Sequence, residues 1–172
     1  MIKKYNSGFT ILEALILLIV LTVFVVIIAL SISPYRKLQL KGAANRFASD
    51  IRICQQYAMQ KNSCYLMQFD KKHHGYTVKR VKDALVVDIK DPFKKNEPFK
   101  VDFYTGSTKG IKIKDINFNG GNELRFSPRG VPMDKRDVPL ASNGSVTLEN
   151  ASGTVSIIVS PDTGRVAQSF DK

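Results

Sequence analysis

Cysteine, histidine and acid are all scarce in this chain, and each shortage excludes something. Two cysteines and two histidines among 172 residues are too few for a disulfide-dense scaffold, and no second Cys/His pair has the spacing of zinc ligands. No G-x-S-x-G, Walker loop or H-E-x-x-H occurs, and Thr105–Gly110 carries a lysine and glycines without the spacing of a phosphate loop. His73 and His74 are adjacent in DKKHHGY beside Asp70, a stretch that reads as an exposed hairpin turn. The expectation is no enzyme, no cofactor and no metal site. Acids number 15 against 26 Lys and Arg, a formal net charge of +11. That excess permits attraction to anionic lipid, a polyanion or an acidic partner and selects none of them.

What is present is unevenly distributed. From Ile11 to Ile32 the chain is apolar except for Glu13, Thr22 and Ser31. As a helix this run covers about 33 Å, enough to cross a hydrocarbon core of about 30 Å. A secretory h-region would be shorter and would end in a small-residue cleavage site, so the run reads as a retained membrane helix. Glu13 stands out within it, because an ionised side chain at a helix centre costs about 2.5–3.5 kcal/mol and calls for a partner or for reach to the headgroups.

Pro34 ends or kinks that helix. Beyond it Leu40, Ala44, Phe47, Ile51, Cys54 and Ala58 recur at helical spacing, with Lys41, Arg46, Asp50, Arg52 and Gln56 off the stripe. If Pro34 only kinks the chain, one helix runs from about Phe9 to Lys61, a rod of roughly 80 Å. After Asn62 the pattern changes to short segments rich in β-branched and aromatic residues: CYLMQF, GYTVKRV, ALVVDI, FKVDFY, IKIKDINF, ELRFS, SVTLE, TVSIIV and GRVAQ. Turn signals separate them, among them Asn119-Gly120-Gly121-Asn122, Ser127-Pro128-Arg129-Gly130, Asn143-Gly144 and Pro161-Asp162-Thr163-Gly164. The fold class read from this order is α+β: a long N-terminal helix, transmembrane in its first half and amphipathic in its second, packed on a C-terminal antiparallel sheet. The segments are a leader over 1–8, a membrane helix over 9–33, an amphipathic half over 34–62 and a β domain over 63–172.

The leader and the start of the apolar run carry a resemblance. A short basic leader ending in Gly8, followed by Phe9-Thr10-Ile11-Leu12-Glu13 and an apolar helix, resembles the class III signal of the type IV pilin and pseudopilin superfamily. The resemblance implies cleavage by prepilin peptidase between Gly8 and Phe9 and N-methylation of Phe9. It makes Glu13 the fifth mature residue, the position of the family's assembly glutamate. The freed amine of Phe9 would supply the charge partner that Glu13 lacks. A weaker resemblance covers about 47–167: NRFASDIRICQQYAMQKNSCYLMQF, LRFSPRGVP and SGTVSIIVSPDTGRV are similar to the H-type minor pseudopilins and FimT-like minor pilins, the GspH/FimT family.

These resemblances imply a structural subunit of a type IV pilus-like or type II secretion-like fibre. Its partners would be other pilins, prepilin peptidase and an inner-membrane assembly platform. The β domain would lie outside the cytoplasm, although Lys3 and Lys4 against Arg36, Lys37, Lys41 and Arg46 leave orientation undecided by charge count. Outside the cytoplasm Cys54 and Cys64 either form one bridge or remain two partly buried thiols. Some FimT-like proteins take up DNA through a Gly-Arg-x-Arg element; here Gly164 and Arg165 match, but Ala167 replaces the second arginine. Arg129, Lys135 and Arg136, with Arg125, add charge near predicted turns, so DNA is an alternative partner. A single-pass anchored domain that never polymerises is a further alternative.

Overall fold

The computed structural model describes residues 10–82, 85–94 and 96–171. They fall into two compact units, one ending at Tyr35 and one beginning at Arg36. The leader, Gly8 and Phe9 lie outside the described residues.

Helix α1 runs Ile11–Gln60, with helical backbone through Pro34. Its start is capped: Glu13 donates its backbone N–H to Oγ1 of Thr10 at 3.3 Å. Thr10-Ile11-Leu12-Glu13 is thus one half of a capping box, T-x-x-E. In the first unit, Ile11–Ile28 has a mean hydropathy of 3.3 with no residue of the window buried, long and apolar enough to cross a membrane. The Thr22 hydroxyl within that window is satisfied by the Ile19 carbonyl at 2.7 Å. At its other end α1 stops in a Schellman motif. Asn62 has a φ of +44°, and Ser63 and Asn62 donate to the Ala58 and Met59 carbonyls at 3.2 and 3.4 Å.

The second unit carries ten strands among the described residues: β1 Tyr65–Asp70, β2 Gly75–Lys82, β3 Leu85–Asp88, β4 Lys100–Asp102, β5 Lys112–Asn117, β6 Glu123–Phe126, β7 Pro132–Met133, β8 Gly144–Asn150, β9 Gly153–Val159 and β10 Val166–Asp171. Most coincide with the segments read from the sequence; β7 and a 3₁₀ turn at Gly106–Thr108 do not. The strands form two antiparallel sheets. One has the order β3-β2-β1-β6-β7, with β4 also on β2; the other is β10-β9-β8-β5. Asn119-Gly120 turns β5 back through two residues of positive φ, +51° and +77°, closed by reciprocal bonds between Phe118 and Gly121. That is the geometry an Asn-Gly hairpin turn favours.

One contiguous core joins both sheets to the helix. The stripe Leu40, Ala44, Phe47, Ile51, Cys54 and Ala58 is buried throughout, with Ala43 and Ala48 beside it. It meets Met67, Phe69, Tyr76 and Val78 of the first sheet and Leu148, Val155, Ile157 and Val159 of the second. Phe47 sits edge-on to Tyr76 with ring centroids 4.9 Å apart, while Phe69 stacks on Phe118 at 5.4 Å. At about 25 cal/mol per Å² of apolar area, such ring and aliphatic burial is the dominant stabilising term.

The expectation that Asp50 lies off the buried stripe is corrected. Asp50 is 1% exposed, and its Oδ2 accepts a 2.5 Å hydrogen bond from the Tyr76 hydroxyl. Position 50 is three residues after Phe47, so it borders the stripe rather than opposing it.

Candidate functional site

Two regions carry most of the residues singled out in the sequence: the start of α1 and the turns of the β domain that follow β6 and β9. In the first, Glu13 is exposed, in the first turn of an apolar helix with its backbone N–H held by Thr10. Its implied partner, the amine of Phe9, lies outside the described residues. The contribution of Thr10 had no place in the sequence reading, though the T-x-x-E spacing that signals it is visible there.

In the second region a residue the sequence reading passed over does the positioning. Gln55, on the last turns of α1 beside Cys54, donates from Nε2 to the Gly130 carbonyl and to the Thr163 carbonyl, each at 2.9 Å. One amide nitrogen therefore holds the β6–β7 turn and the β9–β10 turn together. Gly130 and Gly164 make this approach possible. Their φ values are +80° and +66°, and a Cβ at either would press on Met59 or on Gln55 itself, at 2.9 and 2.5 Å. Arg52 adds a 3.4 Å bond to the Val166 carbonyl. No periodicity marks Gln55; it is a polar residue at the margin of an apolar stripe, and only its two carbonyl partners reveal its use.

The clamp brings the turns bearing Arg129 and Arg165 side by side, with both arginines exposed. Among the described residues neither enters an ion pair. The remaining candidate cations are deployed otherwise. Arg136 bonds Asp134 at 2.9 Å, and Lys135 borders a separate concavity with Lys71 and Asp115. Arg125 is neutralised between Glu123 at 2.6 Å and Asp137 at 3.1 Å. Arg129 and Arg165 thus stand on two turns joined by a single side chain. The two histidines diverge as well: His73 Nδ1 meets Asp70 at 2.6 Å, while His74 Nδ1 accepts from the Ile113 N–H at 3.2 Å.

Burial shapes the perturbed groups. Asp50 is pushed up to about 6 by removal from water, opposed by the Tyr76 hydrogen bond and by Arg46, and assisted by the charge of Asp91. Burial, then Cys64, then Asp50 hold the Cys54 thiol well above its ordinary value. Cys64, half-buried, is raised less, by its own desolvation first and then by Asp137. Both cysteines stand as free thiols. The Asp50 carboxyl and the Cys54 thiol are both buried within the second unit.

A long helix whose second half lies on antiparallel sheets is the architecture of the pilin-like proteins. It is shared with EpsH, a minor pseudopilin from the type 2 secretion system of Vibrio cholerae, at a TM-score of 0.57 and 8% identity over 78% of this chain and 96% of that one. A second EpsH structure gives 0.54 at 7% identity, over 77% and 96%. The type IV minor pilin FimU of Pseudomonas aeruginosa gives 0.50 at 14%, over 78% and 90%. Residues 43–163 match the family described as Type II transport protein GspH, and the chain belongs to that family. No curated protein matches it significantly by sequence.

Proposed function

We propose that the chain is a minor pilin or pseudopilin, a structural subunit and not an enzyme. It would be made as a precursor, cut after Gly8 by prepilin peptidase and built into an envelope-spanning fibre with other pilins at an inner-membrane assembly platform. The observation that carries this reading is a coincidence of parts. A Gly-Phe junction, an acid four residues beyond that phenylalanine and an apolar span at Ile11–Ile28 lead into a domain of the GspH family. The helix supplies the packing spine and the β domain, outside the cytoplasm, supplies contacts with particular partners. Expressed with a prepilin peptidase, the protein should yield a mature form whose N-terminus is methylated Phe9. Co-purification of that form with sheared fibres supports assembly; a mature form that never leaves the membrane fraction points instead to a non-polymerising anchored domain.

A second reading, a DNA-binding subunit on such a fibre, draws support from the Gln55 clamp, which sets Arg129 and Arg165 on adjacent turns. Two phosphate contacts would give weak binding with a salt slope of roughly −2 on double-stranded DNA. An electrophoretic shift at low salt that is lost in Arg129→Ala/Arg165→Ala would favour it, and no shift at low salt would remove it.

A further inference from the structure

The cations that follow the apolar span have no role in anything described so far. Arg36, Lys37 and Lys41 are exposed, and among the described residues none of them enters an ion pair. Lys37 and Lys41 are one helical turn apart and line a groove of about 300 Å³ in the second unit. Its walls are the helix on one side and the beginning of β9 with the end of β10 on the other, through Leu40, Gly153, Thr154 and Phe170. Leu40 is buried, but Phe170 leaves 49% of its surface exposed at the rim.

The groove is built rather than incidental. Asn150 reaches from the end of β8 to donate a 2.7 Å hydrogen bond to the Arg36 carbonyl, pinning the helix to the sheet. The same side chain accepts from the backbone N–H and the hydroxyl of Ser152, at 2.9 and 2.7 Å, which fixes the turn. The described lining offers two ammonium groups beside the apolar surfaces of Leu40 and Phe170. An occupant should therefore be anionic at one end and apolar at the other.

Connectivity supplies its source. Lys37 is nine residues beyond Ile28, the last residue of the apolar window. We infer that this groove binds the headgroup of an anionic phospholipid from the membrane that holds the subunit. Lys37 and Lys41 meet the phosphate, while Leu40 and Phe170 contact the glycerol and upper acyl carbons. A second copy of the chain is a poorer occupant by charge, since each copy stays strongly basic even without Lys3 and Lys4 of the leader.

The test uses the full chain, one copy per lipid nanodisc, in discs of neutral phosphatidylcholine or of a mixture rich in anionic phosphatidylglycerol. The readouts are acylation of individual lysines by a small amine-reactive ester and amide exchange at Gly153 and Thr154. In the anionic discs Lys37 and Lys41 should react on the order of tenfold more slowly, and the exchange at 153–154 should slow with them. Both effects should vanish at about 1 M salt, and exposed Lys135 should not change. Lys37→Gln/Lys41→Gln and, separately, Phe170→Glu should each abolish the exchange protection while leaving the core amides of β8 and β9 protected. Equal lysine rates in the two discs would overturn the inference, as would slowing shared equally by Lys135. Protection that appears only with two copies per disc would assign the groove to a second subunit and overturn it too.

Discussion

The Tyr76 hydroxyl donates a 2.5 Å hydrogen bond to Oδ2 of Asp50 where α1 crosses the first sheet. Helix and strand are joined at this point by a buried polar pair inside an apolar seam, with the Phe47 ring edge-on to Tyr76. Arg46, one turn back on the helix and partly exposed, lies 3.8 Å from the same oxygen. A carboxylate so placed is partly solvated by its donor and its cation, and burial still favours its neutral form.

This pair makes stability depend on pH in a stated direction. Asp50 titrates near 3.8 when unfolded and is pushed up to about 6 in the folded protein. Between these values the folded state holds a proton that the unfolded chain has released, so stability falls as pH rises from about 4 to 6 and stays lower above. The size is on the order of 3 kcal/mol. Urea denaturation should give a flatter profile across this window for Asp50→Asn than for the parent. Tyr76→Phe should lower stability most above pH 6, where it strands a buried charge; a loss equal at pH 4 and pH 8 would count against the assignment.

The Gln55 clamp should be detectable without any ligand. Gln55→Ala removes the donor to both turns and should cost about 1–2 kcal/mol. The Gly130 and Gly164 amides, which close their own turns onto Ser127 and Ser160, should then exchange faster together. Unchanged exchange at both sites would show that the turns hold themselves.

Cys54 and Cys64 should differ in reactivity. Cys54 is fully buried and its thiol is held far above its ordinary value, whereas Cys64 is half-buried and shifted less. Alkylation of the native protein under reducing conditions should label Cys64 first, with Cys54 reacting only when the core opens. Mass spectrometry of timed samples, with and without denaturant, gives the order; equal rates in the native state would contradict the packing.

At the N-terminus, Glu13→Val should leave the protein inserted in the membrane and processed but poorly incorporated into fibres. The change removes the lone acid of an apolar run and keeps the Thr10 cap. Gly8→Asp should block cleavage, so that the longer precursor accumulates on a gel. Fibres containing Glu13→Val at the parent level would argue against a register role for the carboxylate.

Local pattern carried much of the architecture. The stripe from Leu40 to Ala58 was legible because helical periodicity is written residue by residue, and most strands were legible because they alternate between short turns. Asp50 and Gln55 were not legible in the same way. Each lies at the edge of the stripe, where a polar side chain can face solvent or find a partner, and the partners belong to strands and turns far along the chain. Arg125 and Arg136 counted as free charge in the sequence, but folding sets them against Glu123, Asp137 and Asp134. β7 was hidden because Pro132 and Met133 make a strand only by pairing with Phe126 and Arg125.

The sequence by itself determined an apolar span with a single acid near its start, an amphipathic helix after it and a run of short strands, because each is set by neighbours a few residues apart. Only the tertiary structure decided that the strands divide into two sheets, that Asp50 is buried against Tyr76, that Gln55 ties two turns into one surface and that Lys37, Lys41 and Phe170 frame a groove. These depend on contacts between distant residues, whose geometry exists only once the helix has packed on the sheets.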